Sequence, residues 1–190
     1  SLISFAGRYM PMQDLGGDYY DVFSLGDEKY GLVMADVSGH GASASLITAM
    51  VKMFFLESIA YGKSTAEIIN NIHSALFKTV GQTGIFVTVF YGIVDLSKME
   101  MEYTNAGHIP IVILNRDGKI REIESNGTIV GVFANAEYIS ERCSLFHGDR
   151  IILLTDGISE ALNADGNMIG LDAIKDVIAA TTKKNAAEIA

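Results

Sequence analysis

Three aspartates stand at the ends of apolar runs beside glycine-rich turns. They are Asp18 in Gly16–Gly17–Asp18–Tyr19–Tyr20–Asp21, Asp36 in Ala35–Asp36–Val37–Ser38–Gly39–His40–Gly41, and Asp156 in Leu154–Thr155–Asp156–Gly157. A carboxylate there is poorly suited to a core, because burying it without a partner is costly. Taken singly, each reads as a turn or N-cap residue bonding nearby backbone. Taken together, strands of one sheet would gather their ends into a cluster of oxygen donors. Gathered carboxylates repel unless cations neutralise them. Hard Mg²⁺ or Mn²⁺ suits oxygen donors in a chain whose one cysteine is Cys143. The glycines allow backbone to approach a ligand closely.

The surrounding pattern must supply elements that carry these residues. Tyr19–Phe23 and Tyr30–Asp36 read as strands joined by a turn at Leu25–Lys29. From Gly41 the period becomes helical, with Leu46, Ile47, Met50, Val51, Phe54 and Ser58 on a broad apolar face. Ser64–Thr65–Ala66–Glu67 is a capping box opening a second helix along Ile68, Ile69, Ile72, Leu76 and Val80. Strands return at Phe86–Asp95 and Glu100–Thr104. A second hairpin is expected from Ile109–Asn115 and Lys119–Glu124 about the turn Arg116–Gly118. Ser140–Phe146 and Arg150–Thr155 follow, joined by the turn His147–Asp149, then helices at Leu171–Ala180 and Thr181–Ala190. Strands on both sides of a central helix pair indicate an antiparallel α+β layered domain.

Composition narrows the function classes. The 190 residues fit one domain, expected to span 1–190, and at 49% hydrophobic with 19% charged they can build a sizeable core. Fourteen basic against 23 acidic residues give a net charge of −9, with no global attraction to nucleic acid or anionic lipid. A lone cysteine excludes an internal disulfide framework and fits a reducing cytoplasm. Lys52 and Glu57 interrupt the most apolar stretch, Leu46 to Ala60, so no membrane insertion is expected.

Four motifs carry a resemblance in their order along the chain: Gly17–Asp18–Tyr19–Tyr20–Asp21, Ala35 to Gly41, Thr104–Asn105–Ala106–Gly107–His108, and Leu154 to Ala161. Over about Ala6 to Leu171 the sequence resembles the bacterial branch of the metal-dependent type 2C serine/threonine protein phosphatases. That branch includes the sporulation protein E and sigma-B stress-regulator phosphatases. The resemblance implies two packed antiparallel sheets flanked by helix layers, an αββα sandwich, with two Mn²⁺ or Mg²⁺ ions at one end. It implies hydrolysis of phosphoserine or phosphothreonine on a protein such as an anti-sigma-factor antagonist, in sigma-factor and stress signalling. It also implies an upstream sensor or regulatory domain.

Carried over by position, Asp36 resembles the carboxylate that bridges both metals, and Val37 would lend its backbone carbonyl. Asp18 resembles a ligand of one metal and Asp156 of the other. Asp21 belongs to the same motif and would act through water or through hydrogen bonds to the ligands. Two cations would acidify a shared water and offset charge during in-line attack on phosphorus. Where other members of the wider family place a histidine two residues after the bridging aspartate, this chain has Ser38. His40, four residues after, either protonates the leaving serine oxygen or starts the helix. Arg8 either pairs with substrate phosphate or sits solvated on an edge strand. Asn105 and His108 sit in a turn that the resemblance places near the site, with a purely structural loop as the other reading. Gly62–Lys63–Ser64 lacks the earlier glycine of a phosphate-binding loop, since that position holds Glu57. The family usually ends with an Asp-Asp-hydrophobic-Thr strand, which is not reached by Ala190. A module that binds a phosphoprotein without turnover is the alternative class.

Overall fold

Short apolar–polar alternations separated by tight turns dictate antiparallel pairing. The computed structural model describes residues 3–11, 15–60, 63–182 and 184–189. Met12 and Gly62 lie outside these. Two compact units divide the chain: a larger one from 11–109 and 124–145, and a smaller one from 1–10, 110–123 and 146–190.

The larger unit holds strands β1 (Asp18–Gly26), β2 (Lys29–Val37), β3 (Val87–Asp95), β4 (Glu100–Ala106) and helices α1 (Gly41–Ile59) and α2 (Thr65–Val80). With the strand at Glu141–Ser144 it forms an antiparallel five-stranded sheet, that strand lying outside β4 and β1 forming the opposite edge. Asp27 and Glu28 both take positive φ, 47° and 58°, the handedness a two-residue hairpin turn needs.

Side chains alternate faces along a strand, so register sorts the sheet. Tyr19, Val33, Ala35, Val37, Val87, Val89, Tyr91 and Ala106 share one face and pack with Val51 and Phe55 of α1 and Ile69, Ile72 and Leu76 of α2 in one core. The expected first helix is realised, and its apolar residues run all round it. Ala44, Ile47, Val51, Phe55 and Ser58 are buried, while Leu46, Met53 and Leu56 are exposed. At 19 residues it is long and apolar enough to cross a bilayer by length and composition alone, which corrects the expectation that no segment is. Alanine, serine and glycine before Leu46 extend the run, and one face is nonetheless used in the core.

The capping box is present. Ser64 Oγ accepts from Glu67 N at 3.2 Å, and Glu67 Oε2 accepts from Lys63 N at 2.9 Å. Glu102 and Ser140 accept the next two orphan amides of α2, Thr65 N at 3.1 Å and Ala66 N at 2.9 Å, so the first three amides inside this helix are all met by protein.

His73 of α2 is buried, and its Nδ1 accepts from Gly131 N at 3.1 Å with the Tyr138 hydroxyl also at 3.1 Å. Burial, partly opposed by the Phe133 backbone, holds its pKa below the ordinary value. A lowered folded pKa means the unfolded chain takes up the proton first, so this contribution is complete above about pH 6.5 and is lost as pH falls below it. Urea unfolding at pH 7.5 and 5.5 should give lower stability at 5.5, with a smaller difference in His73→Gln. An unchanged difference in that variant would show that His73 is not the source.

In the smaller unit, β5 (Ile111–Leu114) pairs with β6 (Ile120–Ile123) as the expected hairpin and on its other side with the strand at Arg150–Ile152. Asn115 Oδ1 organises the turn by accepting from Asp117 N and Lys119 N at 3.0 and 2.7 Å. The strands expected about His147–Asp149 therefore part. Glu141–Ser144 is β7, in the five-stranded sheet, and Arg150–Ile152 is β8, in the three-stranded one. After β8 come α3 (Asp156–Ser159), α4 (Gly170–Ala179) and α5 (Ala186–Ile189), so the expected tail helix is reduced to four residues. Val112, Leu114 and Ile178 form this unit's small core, flanked by Ile120, Ile152 and Ile174.

Candidate metal centre

Asp18 opens β1 and Asp36 lies one residue before the end of β2, and the two are direct cross-strand partners. Thr88 of β3 is the partner of Asp36 on its other side. Directly opposed residues share a face and lie about 4.5–5.5 Å apart at Cβ. Asp18, Asp36 and Thr88 therefore form one row on the face away from α1 and α2. The next row on that face is Tyr20, Met34, Phe90 and Asn105. Asp18 and Asp36 are both half-buried.

The backbone around this pair is tightly placed. Val37 N donates to Gly17 O at 3.3 Å, and a Cβ on Gly17 would stand 2.8 Å from Val37 O, so only glycine leaves room beside that carbonyl. Thr48 Oγ1 donates to Gly17 O at 2.7 Å and Ser45 Oγ to Gly16 O at 3.0 Å, which ties α1 to the segment leading into Asp18. Beyond Val37, Ser38 N donates to Phe86 O and Ser38 Oγ accepts from Phe86 N, both at 2.9 Å. Gly39 then takes φ +97°, a left-handed conformation that turns the chain into α1. Ser38 thus has a structural task, and His40 is the exposed N-cap residue of α1 with no side-chain cap bond.

Asp21 does not join the pair. Three residues from Asp18 along one strand, it lies on the helix-covered face. There it accepts from the Tyr19 hydroxyl at 3.1 Å and from Val22 N at 2.9 Å, and lies 3.7 Å from Lys52 Nζ of α1. Burial first, and Asp21 second, push the Tyr19 phenol upward.

Thr88 and His108 form a polar contact beside Asp36 that no motif spacing announces. Thr88 Oγ1 lies 2.9 Å from His108 Nδ1, and His108 N donates to Asn105 Oδ1 at 2.9 Å. The Asn105–His108 turn expected near the site is thus held next to the aspartate row. Thr88 carries no motif, and the β2–β3 register alone identifies it.

In the smaller unit, Asp156 is half-buried and is the first residue of α3, four residues after β8 ends, as its position behind an apolar run implied. Arg8 lies in a segment without strand pairing, its Nε 3.2 Å from Met10 Sδ and exposed, so the edge strand expected for it is absent.

The convergence of carboxylates is realised for two within the larger unit. Among the described residues, no group of three His, Cys, Asp or Glu is arranged to hold a metal. Two adjacent carboxylates and a carbonyl with space beside it still fit a hard cation. Mg²⁺ in particular takes one or two carboxylates and keeps several waters.

The Stage II sporulation protein E (SpoIIE) family matches residues 26–190. The phosphoserine phosphatase RsbP of Bacillus subtilis is 28% identical over 156 residues, 80% of this chain and 38% of that protein. The phosphoserine phosphatase RsbU of the same organism is 27% identical over 158 residues, 83% of this chain and 47% of that protein. The chain therefore spans less than half the length of these two relatives. Among solved structures, the SiaA-PP2C domain of Pseudomonas aeruginosa superposes with a TM-score of 0.84 at 20% identity, covering 94% of this chain and 72% of that one. At that identity the likeness establishes the fold.

Proposed function

Because the chain belongs to the SpoIIE family of PP2C-type domains, we propose that it is a metal-dependent phosphatase acting on phosphoserine or phosphothreonine of a bacterial regulatory protein. The observation that carries this reading is the paired Asp18 and Asp36 with the Val37 carbonyl opposite Gly17. Two carboxylates side by side with a carbonyl close by are a donor set that a hard cation favours.

In this reading Asp18, Asp36 and the Val37 carbonyl hold Mn²⁺ or Mg²⁺, and Asp156 is a further ligand. Two bound ions would supply Lewis-acid stabilisation of charge on a phosphoryl group and a lowered pKa for water. The chain's own residues have separate tasks. Thr88 and His108 brace the face that carries Asp36. His40, exposed at the start of α1, gives a proton to the leaving serine oxygen. Arg8 pairs with phosphate oxygens, for which its guanidinium is suited. RsbP and RsbU, both phosphoserine phosphatases by name, favour a phosphoserine protein as substrate. The sigma-factor branch of the family favours an anti-sigma-factor antagonist, with a sensor or regulatory domain acting on this one.

Phosphate release from a phosphoserine-bearing antagonist protein, with and without Mn²⁺, tests the reading against an aryl phosphate of the same concentration. Release that needs metal and prefers the protein is expected. Binding of the phosphoprotein without release would point to a non-hydrolytic module, and preference for the aryl phosphate to a small-molecule esterase.

Gly17→Ala provides a second test that need not read activity. Its methyl would force the Val37 carbonyl away from the aspartates. Half-saturation by Mn²⁺, followed as a thermal shift, should therefore rise by about 10–100-fold, as when a supporting group is lost at other metal sites. Unchanged Mn²⁺ dependence would remove Val37 from the site.

A further inference from the structure

Behind Asp156 the chain of the smaller unit builds a short hairpin that holds apolar side chains out in water. Leu162 and Met168 are its antiparallel partners. Ile169 N donates to Ala161 O at 2.9 Å on one side of the pair, and Asn163 N to Asn167 O at 2.8 Å on the other. Leu162 and Met168 are therefore a non-hydrogen-bonded pair, the kind whose side chains stand closest, with Cα atoms about 4.5 Å apart. The tip is fixed by its own bonds. Asn163 Oδ1 accepts from Asp165 N and Asn167 N, both at 3.0 Å, and Asn163 O accepts from Gly166 N at 3.0 Å. Leu162 is 65% exposed and Met168 64%, with Ile158 and Ile169 exposed in the same segment. Residues 160–169 are exposed without a break, so nothing among the described residues covers the pair. Apolar side chains held side by side on the surface, unlike ones scattered singly, mark a contact site, and methionine adapts readily to what covers it.

We propose that this hairpin docks the segment of the substrate protein that flanks its phosphoserine, and that it selects apolar side chains accompanied by lysine or arginine. The inference rests on the phosphatase reading. Charge chooses the partner. From Ile151 to Ile174 the chain has no lysine or arginine, and it carries Asp156, Glu160, Asp165 and Asp172. Asp172 is paired with Lys175 at 2.7 Å, while Glu160 and Asp165 are exposed beside the apolar pair. Such a rim repels nucleic acid and anionic lipid and attracts a basic segment. Position chooses the substrate over other basic proteins. Asp156 opens α3, and Glu160 N donates to its carbonyl at 2.8 Å. One helical turn and three further residues put Leu162 at most about 15 Å from Asp156. A standard protein contact covers about 800 Å² per partner, a patch roughly 30 Å across. A phosphoprotein seated at Asp156 therefore covers the hairpin, and an aryl phosphate does not reach it.

Two phosphoserine peptides of equal length serve as probes, with leucine and lysine flanking the phosphoserine in one, and alanine and glutamate in the other. Flanks of about five residues on each side span the distance when extended. With Mn²⁺ the protein should release phosphate from the leucine–lysine peptide with a kcat/KM about 10–100-fold higher, chiefly through KM, since two apolar side chains become covered. Leu162→Ser combined with Met168→Ser should remove that preference. The same double variant should keep its rate on an aryl phosphate, its Mn²⁺ dependence and its Tm, because both side chains are exposed. Glu160→Gln with Asp165→Asn should reduce the preference, and so should added salt, which screens exposed charges.

Equal metal-dependent rates on the two peptides would overturn the docking inference and leave the phosphatase reading standing. So would a preference that survives Leu162→Ser with Met168→Ser. A Tm lowered by several degrees in that variant would make the pair part of the unit's own packing, and self-association abolished by it would give the surface to a second copy; either result overturns the proposal. No release from the peptides or the aryl phosphate at any Mn²⁺ concentration would sink the phosphatase reading itself, and the inference with it.

Discussion

Replacing Asp36 by Asn should reduce phosphate release to background, by more than about 100-fold, because loss of even a supporting group at a metal site costs about 10–100-fold. The expectation follows from where Asp36 stands. It is flanked in register by Asp18 on β1 and Thr88 on β3, half-buried, one residue before the carbonyl that Gly17 leaves accessible. A carboxamide keeps the shape and loses the charge. The metal-free protein should remain folded, while added Mn²⁺ should no longer raise the Tm. Phosphate release at saturating Mn²⁺ and thermal unfolding with and without the ion check both halves. Near-wild-type turnover in the variant would exclude Asp36 from the chemistry. A large loss of metal-free stability would instead make it a structural residue.

Phe55→Ala should destabilise the larger unit by about 3–5 kcal/mol, the range for deleting a buried aromatic ring and leaving a cavity. Phe55 is fully buried on the inner side of α1. Its ring stands edge-on to Tyr91 at 5.4 Å and tilted against Tyr19 at 6.4 Å. Those three rings join α1 to β1 and β3, so nothing nearby can collapse into the space without shifting a strand. Urea unfolding of the metal-free protein measures the loss. A change below about 1 kcal/mol would mean the core relaxes around the hole, as only better-adapting sites do.

Much of this architecture is legible before folding. The hairpin turns at Leu25–Lys29 and Arg116–Gly118, the Ser64–Glu67 capping box and the helical period from Gly41 are local signals, and each is realised at its place. Strand parity was also available. Asp18 and Asp21 are an odd number of residues apart on one strand, so they lie on opposite faces, and Asp21 went to Tyr19 and Lys52. Long-range pairing was not legible. The short runs on either side of His147–Asp149 look like a hairpin, but β7 joins β4 and β8 joins β5, because each completes a sheet edge that only the assembled unit creates. The contact between Thr88 and His108 escaped for the same reason. One is an ordinary β-former and the other the end of a turn, and they become neighbours through the β2–β3 register and the fold of Asn105 onto His108 N. The second apolar face of α1 was hidden in plain composition, since a helix greasy all round shows no preferred side until packing consumes one.

The interleaving of the two units has a consequence for synthesis. A chain emerging N-terminus first completes β1 to β4 and both long helices of the larger unit, then must make residues 110–123 before that unit's remaining part, 124–145, appears. Until then the β4 edge lacks β7, His73 lacks Gly131 and Tyr138, and Ala66 N at the start of α2 lacks Ser140. An unpaired sheet edge and an unsealed helix start are the surfaces through which nascent chains associate wrongly. The smaller unit waits longer still, since Lys175 pairs with Glu122 and Arg150 with the carbonyls of Thr181 and Thr182. Translation speed between Pro110 and Leu145 is therefore the interval in which this protein is most exposed to misassembly, and in which a chaperone would matter most.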